Sequence, residues 1–343
     1  MNLNFNLKTR MEGFYTVRLR TPYGRIVPFK GHENPEKNII TDNGKDSVFA
    51  RTYLASMAYL VIGKGNTEAT TSDASLQTYY ATSNLMSSSE NGTVSDFSGR
   101  YKDIYRTFYW TNSTGSSQTI YELGITWLDT SNPAVFSRIV IADGLTIPNG
   151  YDLVVKYTLR LHVANWRTPQ SVNLTYFNGT TDVEQSGTLM YVCNYTASND
   201  TILSGIAYPN AQGNDMSASD PSRVSLLEPS RLTYGAGSDT YARFCTDETQ
   251  FSGLLTAIGN LPYNPAITTN GLMGLSTYTA GSFTRTKSFK LNAASYPETP
   301  FRSFIIGNSL LIYPGLIWDS DASFIKDSSH SWTAGITYTV DRA

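Results

Sequence analysis

Residues 151–163 read YDLVVKYTLRLHV. Tyr151, Leu153, Val155, Tyr157, Leu159, Leu161 and Val163 share one face of an extended chain. Asp152, Lys156, Thr158, Arg160 and His162 occupy the other, with Val154 as the exception. That alternation has the period of a half-buried strand. Seven inward side chains at roughly 1.5–3 kcal/mol each make the strand a major part of any core it joins. Working outward, Pro148-Asn149-Gly150 predicts a turn from a strand over 134–141. Residues 118–127 form another strand. Ile104, Arg106, Phe108 and Trp110 alternate with Tyr105, Thr107 and Tyr109 on its partner, across a turn at residues 112–115. Nearer the start, residues 14–20, Pro22-Tyr23-Gly24 and 25–29 read as a hairpin. Phe49, Tyr53 and Met57 recur every four residues and predict one helix over 45–57, leading into a buried strand at 59–62. Most of 66–99 reads as exposed loop, with a turn of helix at 72–76 and a strand near 79–82.

Composition agrees with a β protein. Only 16% of the 343 residues are charged, against roughly 25% in an average soluble domain. Ser, Thr, Asn and 23 Tyr take their place. Ser, Thr and Asn compete with helical hydrogen bonding, whereas Thr and Tyr suit a pleated surface. A formal charge of −2 and 13% aromatics argue against a coiled coil, a basic nucleic-acid binder and a disordered chain. The expectation is a mainly β chain of two antiparallel β-sandwich domains, 1–165 and 166–343, each with one short helix. Trp166-Arg167-Thr168-Pro169 reads as the joint. The second half shows strands at 172–177 and 188–195, a polar loop at 209–223, and a helix with the capping box Asp247-x-x-Gln250 that carries Phe251, Leu254, Leu255 and Ile258. A constant offset of 181 relates Arg106-Thr107-Phe108 to Lys287-Ser288-Phe289, and residues 155–159 to 336–340. Two copies of one sandwich would produce this, and so would chance matching among Tyr- and Thr-rich strands.

Chemistry is sparse. His32, His162 and His330 lie far apart, and structural or solvated roles are expected of them. Cys193 and Cys245 read as free thiols. Gly63-Lys64-Gly65-Asn66-Thr67 lacks the first glycine and the Ser or Thr of a phosphate loop. Glu122, Asp129, Asp319 and Asp321 could serve a glycosidase, but no spacing singles out a pair. Asp319-x-Asp321 and Asp42-Asn43-Gly44 are read as turns, not calcium loops. No catalytic residue, metal or cofactor is assigned. No apolar h-region and no apolar stretch long enough to span a bilayer is present. Aromatics are concentrated in one hairpin region, including Tyr79 and Tyr80. Tyr105, Tyr109, Trp110 and Tyr121 are the candidate patch for a protein interface or for stacking on a glycan.

Several fragments have a further significance in their order. They are Asn38-Ile39-Ile40-Thr41-Asp42-Asn43-Gly44, Leu60-Val61-Ile62-Gly63, and Thr71-Ser72-Asp73-Ala74-Ser75-Leu76. Arg106-Thr107-Phe108, Tyr121-Glu122-Leu123-Gly124-Ile125 and Phe136-Ser137-Arg138 follow, ahead of the closing strand. Over residues 10–163 this order resembles virion proteins of tailed bacteriophages encoded among tail and fibre genes. The resemblance implies a non-enzymatic structural component of the particle, in the tail, neck, baseplate or fibre attachment, made in the host cytoplasm. Its implied partners are other virion proteins and copies of itself, with neither nucleic acid nor membrane insertion. The alternative is a receptor adhesin binding a host surface glycan. The second half departs from the pattern, since Ser303-Phe304-Ile305-Ile306 stands opposite Glu122-Leu123-Gly124-Ile125.

Overall fold

The computed structural model describes residues 2–32, 34–83, 85–86, 92–96 and 101–163. Beyond them it describes 170–177, 182–192, 240–245, 273–275, 277–291, 299–301, 303–308, 313–318, 324–326 and 332–343. The protein is mainly β. The first half carries β1 (Asn2–Arg20), β2 (Ile26–Pro28), β3 (Glu36–Ile40), α1 (Asp42–Ala50), α2 (Tyr53–Ser56), β4 (Tyr59–Gly63) and β5 (Tyr79–Ser83). It continues with β6 (Leu85–Met86), β7 (Gly92–Asp96), β8 (Tyr101–Thr111), β9 (Gln118–Thr126), β10 (Ser137–Ile147) and β11 (Asp152–Val163).

The alternating strand of residues 151–163 is β11, and it lies between β1 and β8 in antiparallel register, with Tyr157 opposite both Tyr15 and Arg106. On the far edge of β1, Gly13 meets Asn38 of β3, and the sheet runs on through β10, β9, β4 and β5. It then returns on itself. Ser83 ends β5, and two residues later Leu85 faces Tyr109 on β8. The Ser83 hydroxyl donates to the Tyr109 carbonyl across that junction. The predicted sandwich of the first half is thus a sheet curled into a nearly closed barrel, a form that leaves few free edges. Its interior holds Tyr15, Phe108, Leu123, Ile125, Leu153, Val155, Tyr157 and Leu159, all buried. Phe49, Tyr53 and Met57 extend this core from the helical segment.

That segment differs from the single helix expected over 45–57. It starts three residues earlier, because the Thr41 hydroxyl accepts from the Gly44 N–H at 3.0 Å and caps α1. It breaks at Arg51 and Thr52, both extended, and Thr52 caps α2 by accepting from the Ala55 N–H. Two caps eleven residues apart, Thr41 and Thr52, override the four-residue periodicity. No helical turn forms at 72–76, and the region expected as loop between 84 and 99 contains β6 and β7. A glycine inside α1 is required for packing. A Cβ on Gly44 would fall on the Phe136 carbonyl oxygen. Gly→Ala in a helix interior normally stabilises by up to about 1 kcal/mol. Gly44→Ala is expected to destabilise by about 1–3 kcal/mol instead, as an overpacking substitution does, measured as a lower urea midpoint.

The second half contributes β12 (Gln170–Phe177), β13 (Asp182–Val192), β14 (Thr240–Cys245), β15 (Met273–Leu275), β16 (Thr284–Leu291), β17 (Thr299–Phe301) and β18 (Ser303–Asn308). After these come β19 (Tyr313–Trp318), β20 (Phe324–Lys326) and β21 (Trp332–Arg342). One sheet runs β12-β13-β19-β18-β14, and β17 pairs with β20. The chain's last strand goes elsewhere. Strand β21 pairs in parallel with β1, from Asn2↔Thr333 to Met11↔Arg342, and carries β16 and β15 with it into the first sheet. Its Tyr338 and Val340 are buried in the core described above. Around them, Phe49 stacks on Tyr278 at 4.4 Å, and Arg285 donates to the Phe49 carbonyl. Arg342 donates to the Ile40 carbonyl at 2.6 Å and pairs with Asp42. Lys45 is buried over the Phe283 ring, 3.7 Å from an Asp341 oxygen. Burial, and then the nearby Arg342, pull the Lys45 ammonium below its ordinary pKa.

Strand positions recur along the chain. Strands β4, β7 and β9 begin at residues 59, 92 and 118; β14, β15 and β17 begin at 240, 273 and 299. The ladders recur too: β4 pairs with β9 and β14 with β18, while β8 pairs with β11 and β16 with β21. The joint at 166–169, the polar loop at 209–223, the helix after 246, Cys193, Asp319, Asp321 and His330 lie outside the described residues.

Candidate functional site

The glycine-lysine-glycine segment does cradle an anion, and the anion belongs to the protein. Glu122, on β9, is fully buried. One of its oxygens accepts from the Gly65 N–H at 3.0 Å and the Thr78 N–H at 2.7 Å. The other accepts from the Gln77 N–H at 3.0 Å and from Arg138 on β10, Nε at 3.0 Å and Nη2 at 2.9 Å. Arg138 is 2% exposed. Its remaining N–H groups reach Asp73 Oδ2 at 2.7 Å and the Thr67 carbonyl at 3.0 Å. A Cβ on Gly63 or Gly65 would collide with the Glu122 carboxylate, so both positions need glycine for the backbone to come this close. A buried charge persists only when paired and hydrogen-bonded, and each lone pair here has a donor.

Arg138 and Glu122 thereby pin loop 64–78 over the outer face of β4, β9 and β10. Leu76 seals a small apolar cluster there with Val61 and Val135, and Gly124 leaves the room for it. Thr41 joins the same assembly. Its hydroxyl caps α1 and donates to the Val135 carbonyl at 2.5 Å, while the Asp42 N–H donates to Thr71 and the Val135 N–H to Ala74. Arg106 reaches across to the Met57 carbonyl at 2.8 Å, fixing the end of α2. The sequence fragments around Thr41, Asp73, Glu122 and Arg138 are therefore parts of one structural lock, whereas Arg106 serves the end of α2 separately. Glu122 has no exposed oxygen with which to act on a substrate. Asp129 is exposed in the loop before β10.

Burial alone would raise the Asp73 pKa, but the Thr70 N–H, Arg138 and the Thr70 hydroxyl bond to its carboxylate and hold it below the usual value. A group with a lowered folded pKa stabilises fully above its unfolded value, near 3.9, and loses that contribution as the pH falls through its folded value. Protection of the amides across 64–78 against exchange, relative to free amides at the same pH, is therefore expected to fall below about pH 4 before that of the barrel strands does. Asp73→Asn should remove that acid step and leave the loop equally loose at pH 4 and pH 7.

The candidate aromatic patch does not form one surface. Tyr105 and Tyr109 share the outer face of β8. Trp110, one residue on, points to the opposite face and meets Tyr80 edge-on at 5.9 Å. Tyr121 lies on β9 beside Gly144. The separation follows from strand alternation, which sends neighbours to opposite faces. On the outer face of β1, β11 and β8, each ring is covered by a cation. Arg20 stands over Tyr109 at 4.4 Å, Lys156 over Tyr105 at 4.0 Å, and Arg160 over Tyr101 at 3.6 Å. Each such contact is worth about 0.5–1 kcal/mol at an exposed site. Acids complete the pattern: Arg20 pairs with Asp152 at 2.5 Å, and Arg160 with Asp103 at 2.8 Å. The two described histidines also have carboxylate partners, His162 with Glu12 at 2.6 Å and His32 with Glu36. Among the described residues no three His, Cys, Asp or Glu converge as a metal site would need. No helix among them is long and apolar enough to cross a membrane.

Comparison with known proteins adds no relative. No protein-family model, no curated protein and no solved structure matches this chain.

Proposed function

We propose that the chain is a non-enzymatic structural component of a tailed-bacteriophage particle, built into the tail, neck, baseplate or fibre attachment. It acts by symmetric docking to other virion proteins and to copies of itself, and its place is the virion, after synthesis in the host cytoplasm. The observation that carries the reading is the lock. Five of the fragments on which the bacteriophage resemblance rests meet in three dimensions at Glu122, Arg138, Asp73, Thr41, Gly44 and Gly63. Their ionised groups are consumed in holding a loop to a barrel. A protein that spends its charged side chains on shape, under a neutral surface, is suited to burying area against partners.

The glycan-binding alternative has less support, because the cations over Tyr101, Tyr105 and Tyr109 occupy ring faces on which a sugar would stack. A duplication of one β unit is part of the same proposal, with β16 and β21 of the second copy crossing into the sheet of the first. What supports it is the recurrence of strand starts 181 residues apart and of the β4–β9 and β8–β11 ladders in the second half. The test is mass spectrometry of purified particles from infected cells. The reading expects this chain at a fixed stoichiometry in intact particles and misassembled particles when it is missing. Its absence from particles that assemble normally would overturn it.

A further inference from the structure

One row of side chains inside the barrel is polar. Asn38 on β3 stands opposite Gly13 on β1, Tyr157 on β11 opposite Tyr15 on β1, and Arg106 on β8 opposite Tyr157. Asn38 is 8% exposed, and Tyr15 and Tyr157 are fully buried. The Tyr15 hydroxyl is paired with the Ser137 hydroxyl at 3.1 Å, and Arg106 donates to the Met57 carbonyl. The rest of the row is short of partners. Among the described residues, the buried side-chain polar atoms without a hydrogen bond are Asn38 Nδ2 and Oδ1, the Tyr157 hydroxyl and Arg106 Nε. All of them belong to this row. Buried polar atoms are nearly always bonded, to protein or to an ordered water, so their concentration in one place marks a site.

Two of the three residues converge. A Cβ on Gly13 would lie 2.0 Å from Asn38 Oδ1 and 2.6 Å from the Tyr157 hydroxyl oxygen, so amide and phenol meet where glycine leaves the way clear. Burial raises the pKa of both phenols, and the Ser137 hydroxyl and Asn38 amide facing them oppose it. The chemistry of the pair selects the ligand. Asn38 offers amide N–H donors and a carbonyl acceptor, and the Tyr157 hydroxyl both donates and accepts. Donors and acceptors side by side suit neither a cation nor an anion. Water donates twice and accepts twice, and buried waters make about three hydrogen bonds to groups of this kind. We propose that Asn38 and Tyr157 bind a single water molecule inside the barrel. The water completes the amide and the hydroxyl, and it ties β3 to β11 past Gly13. The β1–β3 ladder runs only from Gly13↔Asn38 to Tyr15↔Glu36, so the bridge fastens a short strand just ahead of Thr41 and the lock.

The test is oxygen-17 magnetic relaxation dispersion, which counts waters held longer than the protein's tumbling time, on the full chain, on Tyr157→Phe and on Asn38→Leu. Tyr157→Phe keeps the ring and removes only the hydroxyl, and unchanged far-ultraviolet dichroism certifies folding of each variant. The expectation is one fewer long-lived water in each variant than in the natural chain. A crystal structure of the full chain should place a water oxygen about 2.7–3.2 Å from both Asn38 and the Tyr157 hydroxyl. Equal dispersion in the natural chain and in either folded variant would overturn the proposal, and Tyr157→Phe decides alone where Asn38→Leu does not fold. A crystal structure in which the Tyr157 hydroxyl bonds directly to Asn38, with no molecule between them, would overturn it as well.

Discussion

Glu122→Ala is expected to cost about 3–5 kcal/mol of folding free energy, the usual penalty for removing one partner of a buried ion pair. Arg138 would keep its 2% exposure with half its partners gone, and the N–H groups of Gly65, Gln77 and Thr78 would lose their acceptor. Buried donors without partners are costly in themselves. The effect should therefore exceed that of an ordinary pair in a diagnostic way. Replacing a buried ion pair by apolar residues is often neutral. Here the double variant Glu122→Leu with Arg138→Met should recover only part of the loss, because three backbone donors stay orphaned. Urea unfolding gives the magnitude, and hydrogen exchange gives the place: amides of 64–78 should lose protection first. A loss below about 1 kcal/mol would mean that the lock does not hold the loop.

The second large effect concerns the end of the chain. Deleting residues 332–343 removes Tyr338 and Val340 from the core, about 1.5–3 kcal/mol for each side chain. It also removes the parallel ladder along β1 and the Arg342 contacts to Ile40 and Asp42. Whole domains are stable by only about 5–15 kcal/mol. The shortened chain should consequently unfold at much lower urea or fail to fold, and a chain ending at residue 165 should behave the same way. If the 1–165 chain unfolds cooperatively at the full chain's midpoint, β21 is an accessory to the barrel and the boundary at 165 marks an independent unit.

Much of the barrel was legible along the sequence because its strands alternate strictly. In β11 each inward residue from Leu153 to Leu161 is buried, and the lone exception, Val154, is buried too, on the outer face. The helix break at Thr52 was not legible, since capping by one hydroxyl competes with a periodicity that Phe49, Tyr53 and Met57 satisfy equally well on two short helices. The four patch aromatics fall on different faces for a reason visible in the sequence itself: Tyr109 and Trp110 are adjacent, so a strand must send them apart. The lock was legible only in pieces. Glu122 and Arg138 are 16 residues apart and Asp73 is 65 from Arg138. Carboxylate and guanidinium become partners only when β9 and β10 pair and the loop folds back across them. Pairing of β1 with β21 joins the two ends of the chain, and no local pattern encodes such a contact.

Electron cryomicroscopy of the purified full-length chain, at concentrations where it self-associates, tests the central claim most directly. The account predicts closed, rotationally symmetric assemblies in which barrels touch through their surfaces and Glu122 stays sealed beneath its loop. A population of lone 37.9 kDa particles, with loop 64–78 swung away to open Glu122 and Arg138 to solvent, would contradict it.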